Sequence, residues 1–102
     1  MREIDINDLP DSVRLKITSK RVMNNIENDF KVSLTVKGNY YPPGKQPTAP
    51  HERKLHMVVE SNDPQAVLAA VNELNRQISQ EANRMGVDQA YEHFTGVGKY
   101  RL

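Results

Sequence analysis

From Val13 the chain alternates: Val13, Leu15 and Ile17 are apolar, while Arg14, Lys16 and Thr18 are polar. That is the period of a strand with one buried face. Before it, residues 1–12 are polar, with Ile4, Ile6 and Leu9 as their only anchors. Ile4 and Ile6 suit a short extended segment, which Pro10 ends, so this stretch reads as a polar N-terminal arm. Ser19 then offers a helix N-cap. The apolar residues Val22, Met23, Ile26 and Phe30 form one stripe on a helix of about three turns.

Val32, Leu34 and Val36 alternate with Ser33, Thr35 and Lys37 and predict a second strand, which Gly38 ends. Pro42, Pro43, Gly44, Pro47 and Pro50 forbid a regular ladder through residue 50. A third strand follows at about Arg53 to Glu60, with Leu55, Met57 and Val59 on one face. Asp63-Pro64 pairs an N-cap with a first-turn proline. Val67, Val71, Leu74, Ile78, Ala82 and Met85 make a stripe of about six turns, ending near Gly86. Residues 87–102 show no period, and Tyr91, Phe94 and Tyr100 either dock that tail on the domain or leave it free.

The predicted order is β-α-β-β-α, an α+β fold over residues 13–86. A helical crossover leaves the first two strands parallel with a gap between them. The third strand returns as a hairpin and fills that gap antiparallel to both. Each strand is apolar on one side only, so both helices cover one face of the sheet.

Length and composition fit this single domain: 102 residues, 37% hydrophobic and 26% charged. No apolar run approaches the ~20 residues that cross a bilayer, and the first five residues have no apolar signal-like centre. With no cysteine, disulfides and cysteine-ligated zinc are excluded. The net charge is +1, from 14 Lys and Arg against 13 Asp and Glu, so affinity for a polyanion requires local clustering. Clusters exist: Arg14, Lys16, Lys20 and Arg21 lie close in sequence, and Lys37, Lys45, Arg53 and Lys54 surround the proline loop.

Enzyme chemistry finds no support. Gly44-Lys45 lacks the upstream glycine, the following Ser or Thr and the helix start of a phosphate-binding loop. His51, His56 and His93 share no metal-ligand spacing and are paired with no nucleophile by any pattern. No catalytic residue, metal or cofactor is expected. The chain reads as a binding module.

Asn39-Tyr40-Tyr41-Pro42-Pro43-Gly44-Lys45 places two aromatics and a base on a stiff loop. Three readings fit: Tyr40 and Tyr41 stack on unpaired bases, they anchor a protein interface, or one of them covers its own loop. Ser19, Lys20 and Arg21 begin a helix. They either attract phosphate by charge and dipole or form a simple cap with two solvated bases.

IENDFKVSLTVKG resembles the helix-to-strand passage of KH domains. EIDINDLPDSVRLKITSK, VSLTVKGNYYPPGK and ERKLHMVVES together resemble the carboxyl-terminal KH-like domain of the spliceosomal DEAD-box RNA helicases that act when the U2 particle engages the branch site. A KH-like domain of a separate pre-mRNA splicing cofactor is a related match. The resemblance implies a piece of a longer chain, with the ATPase motifs upstream and Gly98 to Leu102 as the carboxyl terminus. It implies a nuclear location and a role in pre-mRNA splicing.

A KH module clamps about four nucleotides with a Gly-x-x-Gly turn. Here that place holds Thr18-Ser19-Lys20-Arg21, without glycine, and the space allows one helix where the eukaryotic-type module has two. The expectation is a degenerate KH-like domain, monomeric by default, that binds single-stranded RNA (pre-mRNA or snRNA) weakly. Its candidate contacts are Arg14, Lys16, Lys20, Arg21, Lys37, Tyr40, Tyr41 and Lys45. The alternative is a docking module for a spliceosomal protein, with RNA binding lost.

Overall fold

The computed structural model describes residues 1–84. Its elements run β1 (Arg2–Asp5), α1 (Asp11–Ile17), α2 (Lys20–Phe30), β2 (Ser33–Lys37), β3 (His56–Glu60) and α3 (Pro64–Arg84). The end of the last helix near Gly86, Met85 in its stripe, and the aromatic tail all lie outside the described residues.

The sheet has the order β1-β3-β2, with β3 antiparallel to both neighbours. This is the α+β arrangement expected, but its first strand is Arg2–Asp5. The strand expected at residues 13–17 is instead the helix α1. Val13 and Ile17, four residues apart, are its buried pair, whereas Leu15 is 68% exposed. A three-residue alternation contains both a period-two row and an i, i+4 pair, and here the helical pair is the one that is buried. Asp11 in the first turn and Arg14 and Lys16 in the last complement the helix dipole. The expectation of a single helix in this region is corrected with it: α1 and α2 are the two helices of the eukaryotic-type KH module, joined at Thr18-Ser19.

The other boundaries follow local chemistry. Ser19 Oγ caps α2 by accepting from the Val22 N–H at 3.3 Å. The helix stops at Lys31, whose φ of 58° is left-handed. Asp63 Oδ1 accepts from the Gln65 N–H at 2.9 Å and opens α3.

α2 and α3 pack on one face of the sheet, and α1 packs against both of them. Val22 and Ile26 of α2 meet Leu34, Met57 and Val59 of the strands and Val67, Ala70 and Leu74 of α3. A second cluster joins Ile6, Val13 and Ile17 to Ile78 and Ala82 of α3. The outer edge of β2 is closed in its middle, because Glu27 Oε2 accepts the Leu34 N–H at 2.9 Å. Among the described residues, no helix lies on the opposite face of the sheet. By alternation that face presents Glu3, Asp5, Thr35, Lys37, His56 and Val58.

Candidate nucleic-acid interface

Only Lys31 and Val32 separate α2 from β2, so the two run antiparallel. The N-terminus of α2 therefore lies toward the end of β2, where the proline loop leaves. Leu15, Val36 and Tyr40, exposed by 68%, 36% and 45%, are apolar groups of α1, β2 and the loop root. Lys20 and Arg21, in the first turn of α2, are exposed and in no ion pair among the described residues. Their N–H groups belong to the first turn, which a helix leaves unpaired. The turn before them has no left-handed residue, since φ is −96° at Thr18 and −66° at Ser19. Glycine is thus not needed for its conformation.

Other candidate residues are already engaged. Arg14 Nη1 donates to Leu9 O at 2.9 Å and Asn7 O at 3.3 Å, and Nη2 donates to Asp11. The same guanidinium lies over the Tyr40 ring, 4.4 Å from its centroid. With its side chain only 13% exposed, Arg14 fastens the loop to α1. The fastening is doubled by Asn7, which is buried. Its Oδ1 accepts from the Tyr41 N–H at 2.8 Å, and its Nδ2 donates to the Tyr41 carbonyl at 2.9 Å. Tyr41 is therefore held by its backbone, and Tyr40 by its ring.

Lys16 Nζ donates to Glu81 Oε1 at 3.1 Å and ties α1 to α3. Hydrogen bonds from Arg84 and then from Lys16 hold the buried Glu81 carboxylate below the usual glutamate range. Lys45 is exposed in the turn closed by its N–H to Pro42 O at 3.0 Å.

Lys37 does not join Lys20 and Arg21, because alternation along β2 turns it to the helix-free face. There it lines a cavity of about 400 Å³ together with Asn39, His51, Arg53 and His56. Arg53 donates to both oxygens of Glu3, at 2.7 and 3.1 Å, and holds that carboxyl below its usual range. Residues 38 and 39 form the neck of the loop: Asn39 N–H donates to Arg53 O at 3.1 Å, and Gly38 has a φ of 86°. Among the described residues no three His, Asp or Glu side chains are placed to hold a metal ion.

Sequence patterning missed Leu15 as an exposed apolar group, since the strand reading buried it; the helical period from Val13 to Ile17 is the signal that finds it. Asn7 gave no signal at all, its partner being 34 residues distant.

Comparison with known proteins agrees with this geometry. A sequence model described as KH-domain matches residues 1–87. The chain is 36% identical over 100 residues to the probable ATP-dependent RNA helicase DDX46 of Homo sapiens, covering 98% of this chain and 9% of that protein. It is 38% identical over 73 residues to the pre-mRNA-processing ATP-dependent RNA helicase PRP5 of Chaetomium globosum, covering 72% of this chain and 7% of that protein. The corresponding helicase of Pyricularia oryzae is 32% identical over 99 residues, with 97% of this chain and 10% of that protein covered. The chain thus spans about a tenth of the length of the relatives it matches. No solved structure matches it.

Proposed function

Because the chain belongs to the KH-domain family, in the form carried by the DDX46 and PRP5 helicases, we propose that it is the non-catalytic recognition module of a nuclear pre-mRNA-processing RNA helicase. It binds single-stranded RNA weakly and with little sequence preference. The observation that carries this reading is the set of free groups around the α1–α2 turn. Lys20 and Arg21 stand exposed at the start of α2, the end of that helix toward which the antiparallel β2 brings Val36 and the loop root at Tyr40. Leu15, Val36 and Tyr40 are exposed apolar groups. Phosphate meets the two cations and the first-turn N–H groups. A base lies against the apolar groups or stacks on the Tyr40 face not covered by Arg14. Lys45 extends the positive track along the loop. Without glycine at the turn the backbone approach is less close than in an ordinary KH clamp, which accounts for weak binding. Arg14 and Lys16 act in this scheme as fasteners.

A second reading, protein docking, is favoured by the rigidity of the loop root: the Asn7 clamp on Tyr41 presents Tyr40 and the prolines as a preformed surface. One titration separates the two. Binding of a short single-stranded RNA is followed by backbone amide shifts at several salt concentrations. The RNA reading expects shifts at residues 15–23 and 36–45. Lys20→Ala and Arg21→Ala should each weaken binding and flatten the slope of log affinity against log salt by about 0.7. Arg14→Ala should leave that slope unchanged. Absence of shifts at millimolar RNA would leave the docking reading standing alone.

A further inference from the structure

The cavity on the face of the sheet opposite α2 and α3 lies outside the interface just described and contains a buried histidine that the groove does not use. His56 is 3% exposed, although no helix among the described residues covers its side of the sheet. Its Nδ1 lies 2.8 Å from Lys54 O. A carbonyl can only accept, so Nδ1 carries a proton, and in that tautomer Nε2 is the acceptor. No partner for Nε2 exists among the described residues. The imidazole lines the cavity, and its Nε2 is open to accept from a donor that enters.

The charges around it are divided. Arg53 is matched by its two bonds to Glu3. Glu52, although on the wall, spends Oε1 on the N–H groups of Thr48 and Ala49 inside the loop, at 3.2 and 3.1 Å. Lys37 has no ion pair among the described residues and remains the cationic corner. Away from it stand planar or amide groups: His51, His56 and Asn39. The walls are also preset. At Gly38 a Cβ would come within 2.8 Å of Arg53 O, and closer still to Lys54 O, so the two ends of the loop are held in backbone contact.

We propose that this cavity binds one nucleotide unit, independently of the groove around the α1–α2 turn. The phosphate lies at Lys37, and the base presents an amino or imino N–H to His56 Nε2, with Asn39 and His51 beside it. A volume of about 400 Å³ lies in the range of small-ligand pockets and exceeds what a bare phosphate fills. The unit is either a free nucleotide or one residue of an RNA strand passing over this face. The site does not require the groove to bind RNA.

The test uses the Lys20→Ala/Arg21→Ala double variant of the full chain, in which the proposed groove contacts are removed. Amide and histidine ring signals are followed with a panel of nucleoside monophosphates, with inorganic phosphate, and with a short single-stranded RNA. At least one monophosphate should shift Lys37, Asn39, His51 and His56, and more strongly than inorganic phosphate does. Shifts of the same signals by the oligonucleotide identify a strand as the source; shifts by monophosphates alone identify a free nucleotide. Lys37→Ala, a substitution at an exposed position, should weaken binding about tenfold by removing one charge-assisted contact. His56→Gln should weaken it while the fold signals persist. The proposal is overturned if no monophosphate moves these residues at millimolar concentration, if phosphate alone moves them as far, or if Lys37→Ala binds as the parent does.

Discussion

Replacing Asn7 should cost this domain more than any other single polar change in its first ten residues. Its amide reproduces, from a side chain, one rung of a ladder: it donates to and accepts from the Tyr41 backbone at 2.9 and 2.8 Å. Asn7→Ala leaves that N–H and carbonyl without partners. An unpaired buried polar group costs about 1–3 kcal/mol. Tyr41 is half-buried, so water recovers part of this and the lower figure applies to each group. The expected loss is about 2 kcal/mol, which for a domain of this size lowers Tm by roughly 8–16 °C. Asn7→Asp should be no better at neutral pH. It keeps the bond from the Tyr41 N–H but turns a carboxylate oxygen toward the Tyr41 carbonyl and toward Asp8, to which the Asn7 amide now donates at 3.0 Å. Urea denaturation reads the stability, and hydrogen exchange at the Tyr41 amide reads the loop. If Asn7→Ala lies within about 0.5 kcal/mol of the parent and the Tyr41 amide is equally protected, the clamp does not exist in solution.

The two left-handed glycines among the described residues separate conformation from space. Gly38→Ala places a Cβ against the Arg53 and Lys54 carbonyls and should lose more than about 2 kcal/mol. Gly44→Ala, at the same φ of 86° with nothing near its Cβ, should lose only about 1 kcal/mol; equal losses in denaturation would contradict this. Glu81 makes stability depend on acid. Its carboxyl is depressed in the folded state by Arg84 and Lys16, so its contribution is complete above the ordinary glutamate pKa of about 4.3 and is lost as pH falls through the lower folded value. Glu81→Gln should therefore be less stable than the parent at neutral pH and approach it in acid, and a constant gap across that range would refute the assignment.

How much of this was legible depended on whether a residue's role was decided nearby. Ser19, Asp63 and Gly38 are local signals, and they mark the start of α2, the start of α3 and the end of β2 as read. The central position of β3 followed from a hairpin return. Val13, Leu15 and Ile17 misled because so short an apolar row satisfies two periods, and the helix closes through burial of Val13 and Ile17 against Ile78 and Ala82, far along the chain. The site was harder still. Arg14, Lys16 and Lys37 look alike as cations, yet Tyr40, Glu81 and the pleat of β2 send them to three different tasks. Tyr40 and Glu81 lie far from Arg14 and Lys16 in sequence, whereas the pleat that turns Lys37 away is the alternation of its own strand.

The bond from Leu34 to Glu27 has a consequence beyond the sheet itself. A strand at a sheet margin offers unpaired backbone groups on which another chain can grow by adding strands, the first step of many aggregates. Leu34 stands at the middle of the most apolar stretch of that margin, and its N–H is already spoken for by a carboxylate. A newcomer strand would have to displace the Glu27 side chain before it could pair there, and would meet its negative charge in the attempt. The domain thereby keeps this margin from templating a neighbour, using an acid that belongs to its own helix.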